Sequence, residues 1–341
     1  MLDKLDKLRA LLEEREVEGI LIERQNHFSW LTGGRGFIGL ASEMACGSIL
    51  VTKDKAYLIT TNIEAERLTS EECPGLLPMA CPWTREGEKT EIIQKLTGGR
   101  FLRDSELGEA FFRLRTSLTQ SELATYREQG PLAAEALEAA LAGIKPGMTE
   151  LALAGEISAR LWALGMEPIT LLVAFDERIL KYRHPLPTAA ALKRHALAAI
   201  CARVHGLILS VTRCAHIGPL PEDIRLRQQA VCRVDAALIN GARPGISLEA
   251  LYVLAEKAYA DNGFPNEINL HHQGGLTGYV AREKKILPGE THVVASGEAY
   301  AFNPSIAGVK GEDTILVRGM AAAIRGRPAA AGHPDRIGGA S

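Results

Sequence analysis

The chain contains one short pattern twice. Lys145-Pro146-Gly147-Met148-Thr149-Glu150-Leu151 and Arg243-Pro244-Gly245-Ile246-Ser247-Leu248-Glu249 both place Pro-Gly one residue ahead of a Thr or Ser suited to cap a helix. An amphipathic run follows each copy, Leu151–Leu164 and Leu248–Asn262, and apolar strand-like segments come after each run. Such an echo constrains the fold to two related halves, each a helix backed by antiparallel strands. The competing reading is that Pro-Gly-x-Thr/Ser is simply a common way to start a helix. Each copy also leads to a polar cluster. The first is Tyr182-Arg183-His184-Pro185-Leu186-Pro187-Thr188, ahead of an apolar run ending in Gly206–Arg213; the second is His271-His272-Gln273-Gly274-Gly275, closing on Arg282-Glu283.

At 341 residues the chain is too long for one ordinary core, so two domains are expected. Residues 1–115 read as a small α/β domain. Leu2, Leu5, Leu8, Leu11 and Leu12 form one helical stripe, Gly19–Ile22 a short strand, and 48–52 and 56–60 two strands joined at Lys53-Asp54-Lys55. Helices are expected around Ile63–Ser70 and Glu88–Leu96. Residues 116–320 form the second domain, opened by the helix signature Thr119-Gln120-Ser121-Glu122, with Gly130-Pro131 expected to break or kink that helix. The fold class is α/β (α+β). Residues 321–341, rich in Ala, Gly, Pro and Arg, are expected to be a disordered tail.

A formal charge of -2 gives no general attraction to nucleic acid or to an anionic membrane. No apolar run is long enough to span a bilayer and the charged N-terminus lacks a signal-peptide centre, so a cytoplasmic location is expected. Six scattered cysteines without a Cys-x-x-Cys pair read as buried free thiols.

Histidine, arginine and glycine between apolar strands imply a polar site inside a β-rich core. His184 could carry protons, because imidazole titrates near working pH. His272 could polarise a carbonyl, with His271 beside it. Arg282 is a planar fork suited to a carboxylate, or to an ion pair with Glu283 or Glu312. Arg183 adds positive charge that favours an anionic ligand if it points inward. Tyr279 is either a hydroxyl donor or a core residue, and Phe175-Asp176-Glu177 is a solvated turn. Gly274-Gly275 permits close backbone approach but lacks the strand–loop–helix order of a phosphate loop.

Taken together, these segments resemble the creatinase/prolidase/methionine-aminopeptidase superfamily with its pita-bread fold, above all the two-domain creatinases and Xaa-Pro peptidases. The matches are His184-Pro185-Leu186-Pro187-Thr188, Gly206 through Thr212-Arg213, His272 with its glycines, Asn303-Pro304 and Gly311–Val317. The resemblance implies a C-terminal catalytic domain with pseudo-two-fold halves. It also implies a homodimer whose pocket lies near the dimer interface.

Peptidases of that superfamily hold two divalent ions with Asp, Asp, His, Glu and Glu. Those positions fall here on Ala199, Ser210, His272 (or His271), Asn303 and Glu312. A methyl, a hydroxyl and an amide cannot neutralise two dications. No metal and no other cofactor is therefore expected. Creatinase also lacks the metal aspartates, and its catalytic histidine matches His184. The leading expectation is a metal-independent, creatinase-like enzyme acting on a C–N bond of a small carboxylate-bearing substrate. His184, His272 and Glu312 would be catalytic, and Arg282, Arg183, Tyr279, His271 and Asn303 substrate-binding. Thr212 replaces a creatinase carboxylate, so creatine itself is not the expected substrate. The alternatives are an Xaa-Pro metallopeptidase with a reduced metal site, and a non-catalytic pita-bread binding protein.

Overall fold

The computed structural model describes residues 1–317 and 322–323. It divides into one unit of Met1–Ser117 with His205–Leu207, and a second of Leu118–Val204 with the remainder from Ile208.

In the first unit, helix α1 (Leu2–Glu14) buries Leu5, Leu8, Leu11 and Leu12, the stripe read from the sequence. Strands β1 (Gly19–Arg24), β2 (Met44–Val51), β3 (Ala56–Thr61), β4 (Leu77–Cys81) and β5 (Phe101–Arg103) form a mixed sheet in the order β4-β3-β2-β1-β5. Leu21, Leu50 and Ile59 meet Ile93 of the helix Glu88–Thr97 in its core. The expected β2–β3 hairpin closes through the Thr52 N–H to the Lys55 carbonyl. Where one helix was expected around Ile63–Ser70, a short turn Ala65–Arg67 runs into a wider turn Leu68–Glu72.

The second unit is built around the repeated pattern. Helix α2 (Glu150–Ala163) and helix α3 (Leu248–Asp261) start identically: the Thr149 hydroxyl accepts from Ala152 N–H, and the Ser247 hydroxyl from Ala250 N–H, both at 3.1 Å. Gly147 and Gly245 hold φ of 86° and 93°, the left-handed region that glycine enters without steric cost. Each then donates to a strand-like segment (Gly147 to Leu192, Gly245 to Val294), which donates back to Met148 and Ile246 respectively. The echo is thus a shared backbone unit and more than a common helix start.

The first half stacks α2 on an antiparallel sheet of β6 (Glu167–Phe175), β7 (His195–Val204) and β8 (Leu207–His216). The second half carries β9 (Gly274–Thr277), β10 (Lys284–Lys285), β11 (Ala299–Phe302), β12 (Ser305–Ile306), β13 (Val309–Lys310), β14 (Asp313–Leu316) and β15 (Ala322–Ala323). Its main sheet runs β10-β9-β11-β14-β15. Gly274 and Gly275 hold positive φ, and a Cβ at either would lie 2.0 Å from the carbonyl oxygen of Ala301 or Lys284, so both positions require glycine. Their close approach is to neighbouring strands.

The helix Gln120–Ala142 opens with the expected Thr119/Glu122 capping box, but Pro131 does not break it. Burial of Ala133, Ala134, Leu137, Ala140 and Leu141 outweighs the lost hydrogen bond. Cys73 and Cys81 are buried, whereas Cys232 is exposed, so the expectation of uniformly buried thiols is corrected; all six are free. The proposed tail, 321–341, lies outside the described residues apart from Ala322–Ala323, which pair with Ile315 and Leu316. No described helix is long and apolar enough to cross a membrane.

One buried carboxylate fixes the loop that carries His184. Glu150, fully buried in the first turn of α2, accepts from Phe175 N–H (2.9 Å), Arg178 Nε (2.9 Å), Thr188 N–H (2.8 Å) and the Thr188 hydroxyl (2.7 Å). Replacing Glu150 with Ala orphans two backbone N–H groups and a guanidinium. We expect a loss of about 2–4 kcal/mol in denaturant unfolding. A change below about 0.5 kcal/mol, typical of surface positions, would show that this carboxylate does not hold the loop.

Candidate active site

The two polar clusters of the sequence meet in space. His184, His271 and His272 lie with ring centroids 4.6–5.7 Å apart, and their ligating nitrogens fall within 4.8 Å of one another. His271 Nε2 sits 3.1 Å from His184 Nε2 and its Nδ1 3.2 Å from the Ser305 hydroxyl. Ser305 accepts from Arg183 Nη1 at 3.2 Å, and its second lone pair can accept from His271 Nδ1–H. With the His271 proton on Nδ1, His271 Nε2 accepts from His184 Nε2–H, and His184 Nδ1 is left as the basic nitrogen of the cluster. Gly274 N–H donates to His272 Nδ1 at 3.3 Å, which places the His272 proton on Nε2. His272 therefore presents a donor.

Helix α3 holds this arrangement from behind. The buried Tyr259 hydroxyl donates to Gln273 Oε1 (2.9 Å) and accepts from Ser305 N–H (2.9 Å), while Gln273 Nε2 donates to the His271 carbonyl. A cavity of 380 Å³ opens beside His271 and His272, walled by Ile268, Leu270, Ile286, Leu287 and Pro288. Its size and apolar wall suit a small ligand.

Glu312 anchors the other side. It is buried, accepts from Thr212 Oγ1 (2.7 Å) and Arg282 Nη2 (2.6 Å), and pairs with Lys310 Nζ (3.0 Å). Burial alone would raise its pKa; the charges of Lys310 and Arg282 and the Thr212 hydrogen bond overcome this and lower it to about 2. The histidines move the same way for a different reason. Burial first, then the Lys310 charge, lowers His184 and takes His271 to about 2; burial and Arg282 take His272 to about 4. All three imidazoles are neutral at pH 7.

Most of the residues selected from the sequence come together here: His184, His271, His272, Arg183, Arg282, Asn303 and Glu312. Arg282 is engaged with Glu312 and with the Ala281 carbonyl, one of the two roles left open for it. Arg183 pairs with Glu267, so its charge is compensated. Tyr279 is the core residue of its two readings: it is buried, and its hydroxyl donates to Glu122. Asp176 is an organiser of backbone and not a solvated acid, accepting from the N–H groups of Lys193, Arg194 and His195. Lys310 was missed. Its alternation with Glu312 places both on one face of an extended segment, and that i, i+2 spacing was the available signal.

The five positions at which the resemblance would put metal ligands do not make a dinuclear site. Ala199 is a buried methyl on β7, and the Ser210 hydroxyl lies 3.4 Å from both Cys201 Sγ and Arg282 Nη1. Asn303 brings an amide, and Glu312, the remaining carboxylate, is already bound by two cationic side chains. The donor set lacks the bridging carboxylates that two hard cations require.

The signs of these shifts set an acid limit. A histidine or carboxylate whose folded pKa is depressed binds fewer protons folded than unfolded, so stability falls as pH drops. The loss should begin below the ordinary histidine value of 6.5 and steepen below the ordinary glutamate value of 4.5. Urea midpoints measured from about pH 7 to 4 should decline, and His271→Asn should flatten the upper part of that decline. Flat midpoints down to about pH 5 would contradict the buried neutral imidazoles.

The Creatinase/Prolidase N-terminal domain matches residues 4–108, and Metallopeptidase family M24 matches residues 124–319. An uncharacterized peptidase, YqhT, of Bacillus subtilis is 24% identical over 92% of this chain and 95% of its own. An Xaa-Pro dipeptidase of Pyrococcus horikoshii is 23% identical, over 93% and 95%. The crystal structure of the Pyrococcus horikoshii prolidase superposes with a TM-score of 0.79 at 19% identity, covering 94% of this chain and 97% of that one. With more than half of its length matched by one family, and the fold of a prolidase around its site, this chain belongs to metallopeptidase family M24.

Proposed function

We propose that this chain hydrolyses the C–N bond of a short substrate bearing a free carboxylate. Xaa-Pro dipeptides are the class to which the names of its relatives point. The observation that supports hydrolysis is the M24 match over the half of the chain that carries the histidine cluster. The relatives favour the Xaa-Pro peptidase reading over the metal-free creatinase-like one. The donor set at the family metal positions favours a departure from the usual two-ion chemistry.

In the metal-free route, His184 Nδ1 takes a proton from water as the water oxygen attacks the carbonyl carbon, while His184 Nε2–H stays on His271 Nε2. The Nε2–H of His272 donates to the carbonyl oxygen as it gains charge. The C–N bond then breaks, and the protonated His184 returns its proton to the leaving nitrogen. Neutral imidazole at pH 7 is the form this route requires, and the field of Lys310 and Arg282 supports it. A second reading rests on the close approach of the three imidazoles, which could hold one divalent ion once each ring turns a lone pair toward it. A homodimer is carried with the proposal through the family resemblance.

Protein purified without added metal separates the routes. The metal-free route expects no stoichiometric Mn, Zn, Fe or Co and Xaa-Pro or amide cleavage insensitive to chelators. His184→Ala should lower kcat at least about 100-fold with a smaller effect on KM. The one-ion reading expects a single ion per chain, lost with activity on chelation and absent in His184→Ala. Two bound ions per chain, or absence of C–N hydrolysis on any carboxylate-bearing dipeptide, would overturn the proposal.

A further inference from the structure

Two buried cations share one carboxylate beside the histidine cluster. Lys310 and Arg282 both address Glu312, and the positions where relatives of the family would supply further negative charge hold Ala199, Ser210 and Asn303. Lys310 is 5% exposed, and Glu312 is its ion-pair partner among the described residues. A buried ammonium that shares its counter-ion with a guanidinium is incompletely neutralised, which is costly unless an anion arrives. Two further atoms in the same place lack partners: Arg282 Nε, a donor, and Asn303 Oδ1, an acceptor. The register Phe302↔Asp313 sets Asn303 opposite Glu312, so both belong to this corner. The nearby acid Glu283 is turned to the Val280 N–H.

We propose that Lys310, backed by Arg282, is the subsite that binds the carboxylate of the substrate, with Asn303 Oδ1 accepting from an N–H of the same molecule. This rests on the hydrolytic reading above only for the substrate's identity; the subsite itself is a binding claim. It shifts the anchoring role from Arg282, whose Nη2 is committed to Glu312, to a lysine on β13. The excess positive charge selects a carboxylate over its amide, and the apolar wall beside His271 accommodates the rest of a small molecule.

The test uses L-proline and L-prolinamide as probes, titrated into the full chain by calorimetry at low ionic strength. Wild type should bind proline at least tenfold tighter than prolinamide. Lys310→Arg should retain that preference. Lys310→Met leaves Glu312 short of a partner and risks unfolding, so Lys310→Met/Glu312→Gln, which removes both charges together, is the decisive variant. It should bind the two probes within twofold of each other. A wild type that binds neither probe or does not discriminate, or a double variant that keeps the tenfold preference, overturns the subsite. Discriminating binding without any dipeptide hydrolysis would sink the hydrolytic reading and leave the subsite standing. Hydrolysis with a Lys310-independent preference would do the reverse.

Discussion

Glu312 is the group on which the site depends. A carboxylate this deeply buried survives ionised only with compensation, and here three partners supply it: Lys310, Arg282 and the Thr212 hydroxyl. Those bonds tie β8 and the loop after β9 to the segment between β13 and β14, and Arg282 also touches Ser210. The same two cations project positive potential onto the histidine cluster. That field helps keep His184, His271 and His272 neutral and makes the pocket a poor cage for two dications. Charge balance and fold are here the same set of contacts.

The architecture shows how a repeated backbone unit delivers two unlike clusters to one place. Each half begins with a glycine in the left-handed region, a hydroxyl cap and a returning strand. The first half uses Glu150 to fasten the His-Pro-Leu-Pro-Thr segment; the second uses Tyr259 to fasten Gln273 and Ser305. His184 and His271 then meet through their Nε2 atoms. The family fold is retained, and the side chains gathered at its centre are three imidazoles and two cations around one carboxylate.

Much of this was legible in the sequence. The leucine stripe of α1, the Lys53–Lys55 hairpin, the Thr119 capping box and the repeated Pro-Gly unit each rest on local physics that the tertiary structure did not override. Pro131 was misleading because packing of its alanine-rich neighbours outweighed one missing hydrogen bond. Among site residues, the histidines and Glu312 stood out because polar groups in apolar strands need a reason to be there. Lys310 did not, since a lysine beside a glycine ordinarily reads as exposed; only its burial and its pairing with Glu312 reveal it. Tyr279 and Asp176 could not be assigned because their partners, Glu122 and the 193–195 backbone, are distant in sequence.

We propose that Lys310 and Arg282 take, at Glu312, the electrostatic place of a metal pair. The most direct test is a crystal of this protein soaked in manganese and examined for anomalous scattering. No peak is expected within bonding distance of Glu312, with Lys310 and Arg282 still engaged on its two oxygens. A pair of manganese peaks bridged by Glu312, with Lys310 displaced, would contradict it.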